Sequence, residues 1–197
     1  MRSSDIPEIL AIEGESFPTP WPSSAFKTEL VNKLARYVVL RDATLVPPQP
    51  EGWQKITGGI RRLLDQSVTN RGPVLGYAGT WIIIDEAHLT TIAVRPDLRG
   101  KGYGELLLID CLDASMQKGA ETMTLEVRLT NESAQKLYRK YGFAIAGRRK
   151  NYYSEINEDA LIMTTVPTTT TEYRERFESL RAKLADRLAG TILVDAH

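Results

Sequence analysis

The run Val94-Arg-Pro-Asp-Leu-Arg-Gly-Lys-Gly-Tyr-Gly sets Gly100, Gly102 and Gly104 at alternate positions between a strand-like and a helix-like segment. Glycine there removes side chains where the chain turns. Backbone N–H groups can then approach an anion, and the positive end of the following helix points at it. Arg99 and Lys101 add charge, and such a site suits a pyrophosphate. It is not the dinucleotide-binding fingerprint, because the third glycine spacing fails at Glu105, and it is not a P-loop, because no Gly-Lys-Ser/Thr follows. Taken alone, the run also fits an ordinary glycine-rich turn. The single cysteine, Cys111, falls on the inward stripe of the helix that follows and is expected as core rather than as a nucleophile.

The elements that must position this loop can be read from periodicity. Asp5-Ile-Pro opens a helix, with Asp5 as its cap and Ile6, Ile9, Leu10 and Ile12 as its apolar stripe. Phe17-Pro-Thr-Pro-Trp-Pro-Ser is a proline-punctuated loop. Ser23 or Ser24 caps a second helix carrying Phe26, Leu30 and Leu34, and Tyr37-Val-Val-Leu reads as a strand. Residues from about 43 to 73 break the pattern as an insertion, with Trp53, Ile56, Ile60, Leu63 and Leu64 at helical spacing. That helix either packs on the parent domain or meets a partner or membrane surface.

Val74 to Ile84 and Glu86 to Val94 read as strands joined by a tight turn. A helix to about Gly119, a strand from Thr122 to Val127 and a helix from Asn131 to Tyr141 follow. Phe143 to Gly147 and Asp159 to Thr165 are the last strands, and Asp85, Glu155 and Glu158 fall in turns. The order predicts an α/β (α+β) fold with a mixed sheet. Residues 1–165 form the main domain, and 166–197 a linker and an amphipathic helix with Tyr173, Phe177, Leu180, Leu184 and Leu188 on one stripe, capped by Gly190. This stripe is expected to dock on the domain or on a second copy as a homodimer.

The 197 residues include 42% hydrophobic and 25% charged, enough for a sizeable core. Lys+Arg and Asp+Glu are 25 each, so no general field draws the chain to nucleic acid or to an anionic membrane. One cysteine and two histidines, His88 and His197, give no disulfide framework and no metal cluster. No apolar run is long enough to span a bilayer, the first residues lack a signal-peptide stretch, and the cytoplasm is the expected compartment.

Arg99-Gly-Lys-Gly102-Tyr-Gly104 resembles the acetyl-coenzyme A motif of the GNAT N-acetyltransferase superfamily, Arg/Gln-x-x-Gly-x-Gly/Ala. The likeness continues through Leu125-Glu-Val-Arg, Asn131-Glu-Ser-Ala, Leu137-Tyr-x-x-Tyr-Gly-Phe143, Arg149-Lys-Asn-Tyr-Tyr153 and Glu158-Asp-Ala-Leu-Ile-Met163. With Phe17-Pro-Thr-Pro-Trp21 it resembles the ribosomal-protein-alanine N-acetyltransferase branch over about residues 3 to 165, the insertion excepted. The resemblance implies a splayed sheet. It implies acetyl-CoA as cosubstrate, with no metal, and a protein N-terminal amine as acceptor. Ile92, Ala93 and Val94 would hold pantetheine by their backbone, and Arg99, Gly100, Lys101, Gly102, Tyr103 and Gly104 the pyrophosphate. Asn131 would contact the coenzyme, cap its helix, or both. Glu126 would be the general base through water, or a solvated strand-end carboxylate. Tyr138 would protonate the leaving thiolate, or be a core tyrosine. Trp21, Tyr152 and Tyr153 would line the peptide cleft, or be aromatics packed in loops. Lysine or small-amine acetylation and a non-catalytic coenzyme-binding scaffold are the other readings. The family's first strand, which normally precedes the Asp-Ile-Pro helix, has no counterpart in the four residues before Asp5.

Overall fold

The computed structural model describes residues 1–42 and 72–188 and the backbone of 193–196. The helix expected within 43–73 falls on residues 43–71, outside the described residues, and so does Gly190. The described elements in chain order are α1 (Ile6–Ser16), α2 (Ser23–Val31), β1 (Ala35–Arg41), β2 (Val74–Ile83), β3 (Glu86–Val94), α3 (Tyr103–Gln117), β4 (Thr122–Arg128), α4 (Glu132–Lys140), β5 (Phe143–Tyr153), β6 (Glu158–Thr165), α5 (Thr171–Leu188) and β7 (Leu193–Ala196). The strands form one sheet in the order β5-β6-β4-β3-β2-β1-β7. Every pairing is antiparallel except β3 with β4. This is the mixed sheet that the sequence predicts.

Both faces of the sheet are covered, and the alternation of each strand shares its apolar residues between them. On one face Leu107, Leu108, Cys111 and Leu112 of α3 pack on Ala87 and Leu89 of β3 and on Met123, Leu125 and Val127 of β4. On the other, Ile6, Ile9 and Ile12 of α1 and Phe26 of α2 pack on Tyr37, Val39 and Tyr77. Cys111 is buried and its thiol is pushed up to about 12 by that burial, which leaves it unreactive.

Several local expectations change. Asp5 does not cap α1 with its side chain. It is buried and pairs with Arg41 of β1 at 2.8 Å, because a buried guanidinium needs an anion beside it. Neither Ser23 nor Ser24 caps α2: the cap position falls to Pro22, which has no polar side chain to do it. The strand expected to end at Gly147 runs on to Tyr153, so the Arg149–Tyr153 motif lies on β5 and not in a loop. The β7 backbone adds an unforeseen antiparallel strand against Val38–Arg41 at the β1 edge.

The C-terminal stripe docks on its own chain. Tyr173, Phe177 and Leu184 are buried in the same core as α3, with Leu180 and Leu188 packed against it. The Tyr173 hydroxyl donates to the Tyr141 carbonyl at 3.1 Å, and Arg176 donates to the Lys140 carbonyl at 2.8 Å, tying α5 to the end of α4. The apolar face that suggested a homodimer is therefore used within one chain.

Candidate active site

The site begins where backbone pairing stops. β3 pairs with β4 only over Glu86–Leu89 against Thr122–Leu125, although β3 continues to Val94 and β4 to Arg128. Past that point Ile92, Ala93 and Val94 pair only with Ala78, Tyr77 and Gly76 of β2, and Glu126 to Arg128 pair only with β6. The divergence has a local cause. Gly79 faces Thr91 and Thr80 faces Leu89, so Thr90 is an extra residue in β3, a bulge that bends the strand just where the parallel ladder ends. The Thr90 hydroxyl holds the bulge by donating to the Gly79 carbonyl at 3.0 Å. The gap exposes one edge of Ile92–Val94 to any extended partner.

At the end of β3 the chain makes a short 3-10 turn, Pro96–Leu98, and enters the glycine loop. Gly100 and Gly102 take φ of 77° and 94°, conformations that side chains rarely adopt. No N–H from Gly100 to Glu105 donates to an acceptor among the described residues, so α3 presents a fan of open donors. A Cβ on Gly104 would meet only Val94, at 3.8 Å, which leaves open space beside those donors. Lys101 is exposed and Tyr103 half-buried. Arg99 does not turn toward this space. It donates to the Val94 carbonyl at 3.1 Å and the Ser16 hydroxyl at 2.9 Å, bracing the loop against β3 and α1. The loop and the gap fit a long cosubstrate with an amide-bearing arm and a pyrophosphate.

Behind the loop, Glu105 is a buried hub. Its carboxylate accepts from Lys140 of α4, from the Tyr141 hydroxyl at 2.6 Å and from Arg187 of α5 at 2.7 Å. Burial pushes this carboxyl up, but the three donors outweigh it and hold it below the usual carboxylate range.

Glu126 lies on the face of β4 opposite Leu125 and Val127, with its side chain 6% exposed. One oxygen meets His88 Nε2 at 2.7 Å, and the other lies 3.2 Å from Arg149 of β5 without hydrogen-bond geometry. The His88 contact, against the opposing effect of burial and with help from Arg149, holds this carboxyl below its ordinary value. Arg149 lies over the Tyr152 ring at 5.5 Å, and Tyr152 meets Tyr153 edge-on at 5.1 Å. Tyr153 lies within electrostatic reach of both Glu126 and Tyr138, its phenol pushed up to about 12 chiefly by burial, with Glu126 adding to the rise, and it in turn raises Tyr138.

Tyr138 on α4 is buried against Phe143 with ring centroids 5.6 Å apart. Burial raises its pKa, so it stays protonated. Its hydroxyl has no partner among the described residues and is not among the sealed polar atoms. Tyr138 is thus a core ring whose hydroxyl is left available. Asn131 caps α4, its Oδ1 accepting from Ala134 N at 3.1 Å.

The structure thus brings together Glu126, Tyr138, Tyr152 and Tyr153. Trp21 stays apart from them. It packs on Phe26 at 5.8 Å, and its backbone N donates at 3.4 Å to buried Glu13. Its loop meets the β5–β6 turn through Thr19 and Glu155. Sequence reasoning missed His88 and gave Arg149 no role. One signal was available for His88: it alternates with apolar Ala87 and Leu89, as Glu126 alternates with Leu125 and Val127.

Comparison with known proteins agrees with this geometry. A Salmonella typhimurium (strain LT2) protein named [Ribosomal protein bS18]-alanine N-acetyltransferase is 39% identical over 165 residues, 83% of this chain and 92% of that one. The Escherichia coli (strain K12) protein of the same name is 31% identical over the same shares. The crystal structure of the ribosomal-protein-S18-alanine N-acetyltransferase from Escherichia coli superposes with a TM-score of 0.64 at 28% identity, covering 87% of this chain and 92% of that one. The profile described as Acetyltransferase (GNAT) family matches residues 6–143, well over half of the 197 residues, and the chain belongs to that family.

Proposed function

We propose that this acetyltransferase moves the acetyl group of acetyl-CoA directly onto the N-terminal α-amine of a protein. The observation that carries the reading is the β3–β4 gap opening beside the free N–H groups of the glycine loop. The relatives' names support a protein terminus as acceptor and a ribosomal protein as its class. That acceptor implies the cytoplasm as the place of action. No helix among the described residues is long and apolar enough to cross a membrane.

In this reading the Ile92–Val94 backbone holds the pantetheine arm as an added strand, and the N–H groups of Gly100–Glu105 hold the pyrophosphate, with Lys101 adding charge. Asn131 keeps the start of α4 beside the same gap. The cosubstrate supplies an activated thioester, and the chain's own groups manage protons. Glu126 provides the anionic centre on which deprotonation of the amine depends, and Tyr138 donates its proton to the departing thiolate. Direct transfer leaves Cys111 without a role, in keeping with its burial. Tyr152 and Tyr153 line the acceptor side, and Trp21 orders the loop that faces them.

The chemistry favours an α-amine over a lysine. With reference pKa values of about 7.7–8.0 and about 10.4, roughly a tenth of an α-amine is neutral near pH 7, against well under a thousandth of a lysine. A single carboxylate-based centre suffices for the former. The test is a pair of peptides of one sequence with an internal lysine, one with a free and one with a blocked N-terminus. Acetylation is expected on the free terminus alone. A comparable rate on the blocked peptide would overturn the assignment in favour of lysine.

A further inference from the structure

We propose that the basic atom of the site is His88 Nδ1, with Glu126 as its anionic partner, so that a Glu–His pair rather than a lone carboxylate takes the amine proton. The inference rests on the acetyl-transfer reading above and concerns how that site moves its proton.

The fold puts the pair together by register. β3 and β4 run parallel with His88 opposite Thr124, so His88 and Glu126 share a face one alternation apart. The Nε2–Oε2 distance of 2.7 Å is that of a charge-assisted hydrogen bond. A hydrogen must lie between those atoms, because an imidazole lone pair would not face a carboxylate at that distance. Nε2 therefore donates, and the imidazole's free acceptor is Nδ1. Nδ1 has no partner among the described residues, and the side chain is 35% exposed, against 6% for Glu126. The two oxygens of Glu126 face His88 and the Arg149 guanidinium. A carboxylate flanked by a donor and a cation is a poor resting place for a proton, but it stabilises the imidazolium beside it.

The charged and titratable groups around His88 agree with this. Glu126 on β4 is its contact, and Arg149 and Tyr152 on β5 lie beyond that carboxylate. Trp81 of β2 packs edge-on to the imidazole at 6.3 Å, and its indole N–H donates to Glu29 of α2 at 2.6 Å. Glu86 lies two residues back on β3, exposed at the turn. The nearest charged group to the ring is thus the Glu126 carboxylate, at 2.7 Å.

The amine nitrogen forms its bond to the acetyl carbonyl carbon and the carbon–sulfur bond breaks. The nitrogen's proton passes, directly or through one water, to His88 Nδ1, the sulfur receives the Tyr138 proton, and both residues recover their protonation through solvent.

The test is His88→Gln in the full chain, since glutamine keeps an N–H that can reach Glu126 but has no basic nitrogen. The expected result is a kcat at least about a hundredfold lower, with coenzyme affinity by calorimetry and KM for acetyl-CoA unchanged. The acid limb of the kcat–pH profile should also change. His88→Ala covers the case where glutamine misplaces β3, and added imidazole should restore part of its rate. A folded His88→Gln enzyme with the parental rate and the same acid limb would overturn the proposal. So would His88→Ala with intact coenzyme binding and no rescue. Failure of the acetyl-transfer reading would show differently, as a parent protein that binds coenzyme but acetylates no free N-terminus.

Discussion

The loop from Arg99 to Gly104 and the cluster around Glu126 lie on either side of one strand, β3, and are built in opposite ways. The loop presents mainly backbone donors: three of its residues are glycines, and Arg99 is turned away toward Ser16 and Val94. The cluster presents side chains, drawn from β3, β4, α4 and β5, that no single stretch of chain contains. A site made of backbone can be written in eleven consecutive residues. A site made of side chains exists only once strand register has been chosen. The two should also fail differently, the loop through affinity and the cluster through rate.

The largest expected effect removes the loop's support from behind. Leu184 of α5 is 2% exposed, and with Arg187 it sits 3.2 Å from where a Cβ on Gly102 would be. Leu184→Ala should lower stability by about 2–5 kcal/mol, the usual range for a truncated buried leucine. Denaturant unfolding would measure it, and a loss below about 0.5 kcal/mol would show that α5 does not brace the loop.

Next comes the cluster. Tyr138→Phe keeps the buried ring and removes one hydroxyl, so turnover should fall roughly a hundredfold while coenzyme affinity is nearly unchanged. A chemistry-limited rate equal to the parent's would make Tyr138 a core residue only.

On the loop, Gly104→Asp is cleaner than Gly102→Asp. Gly102 requires positive φ and touches α5, whereas the Gly104 side faces open space. A carboxylate at Gly104 should weaken coenzyme binding at least tenfold, about 1.4 kcal/mol, with little change in stability. Unchanged affinity by calorimetry in the folded variant would detach the loop from the coenzyme.

The smallest effect is on pH dependence. Glu105 is held below the unfolded glutamate value of about 4.3, so its contribution to stability is present above that value and is lost as pH falls through the folded one. Glu105→Gln should flatten that acid-side decline, measured as stability against pH below about 4.3.

The difference between the regions also explains what could be read in advance. The glycine loop, the helix stripes and the central strands follow from local spacing, whereas Glu126 and Tyr138 stood out through the family resemblance. The Glu126–His88 contact did not, because the residues are 38 apart and depend on a parallel register that no local pattern specifies. The bulge at Thr90 hid in Leu-Thr-Thr-Ile, where two threonines interrupt the alternation without naming the extra residue. The end of β5 escaped because Arg148–Asn151 is exposed and polar, with no buried face to give a period of two. Its pairing comes from β6 rather than from burial.

The central claim is that the coenzyme occupies the gap between β3 and β4 and the open end of α3. Amide hydrogen exchange with and without coenzyme A tests this most directly, because the loop donors are unpaired and one edge of Ile92–Val94 faces no strand in the free protein. The account predicts slowed exchange within Ile92–Val94 and Gly100–Glu105, with no change in the Ile83–Glu86 hairpin at the paired end of the same strands. Tight coenzyme binding that left those amides unprotected, or that protected the paired end instead, would contradict it.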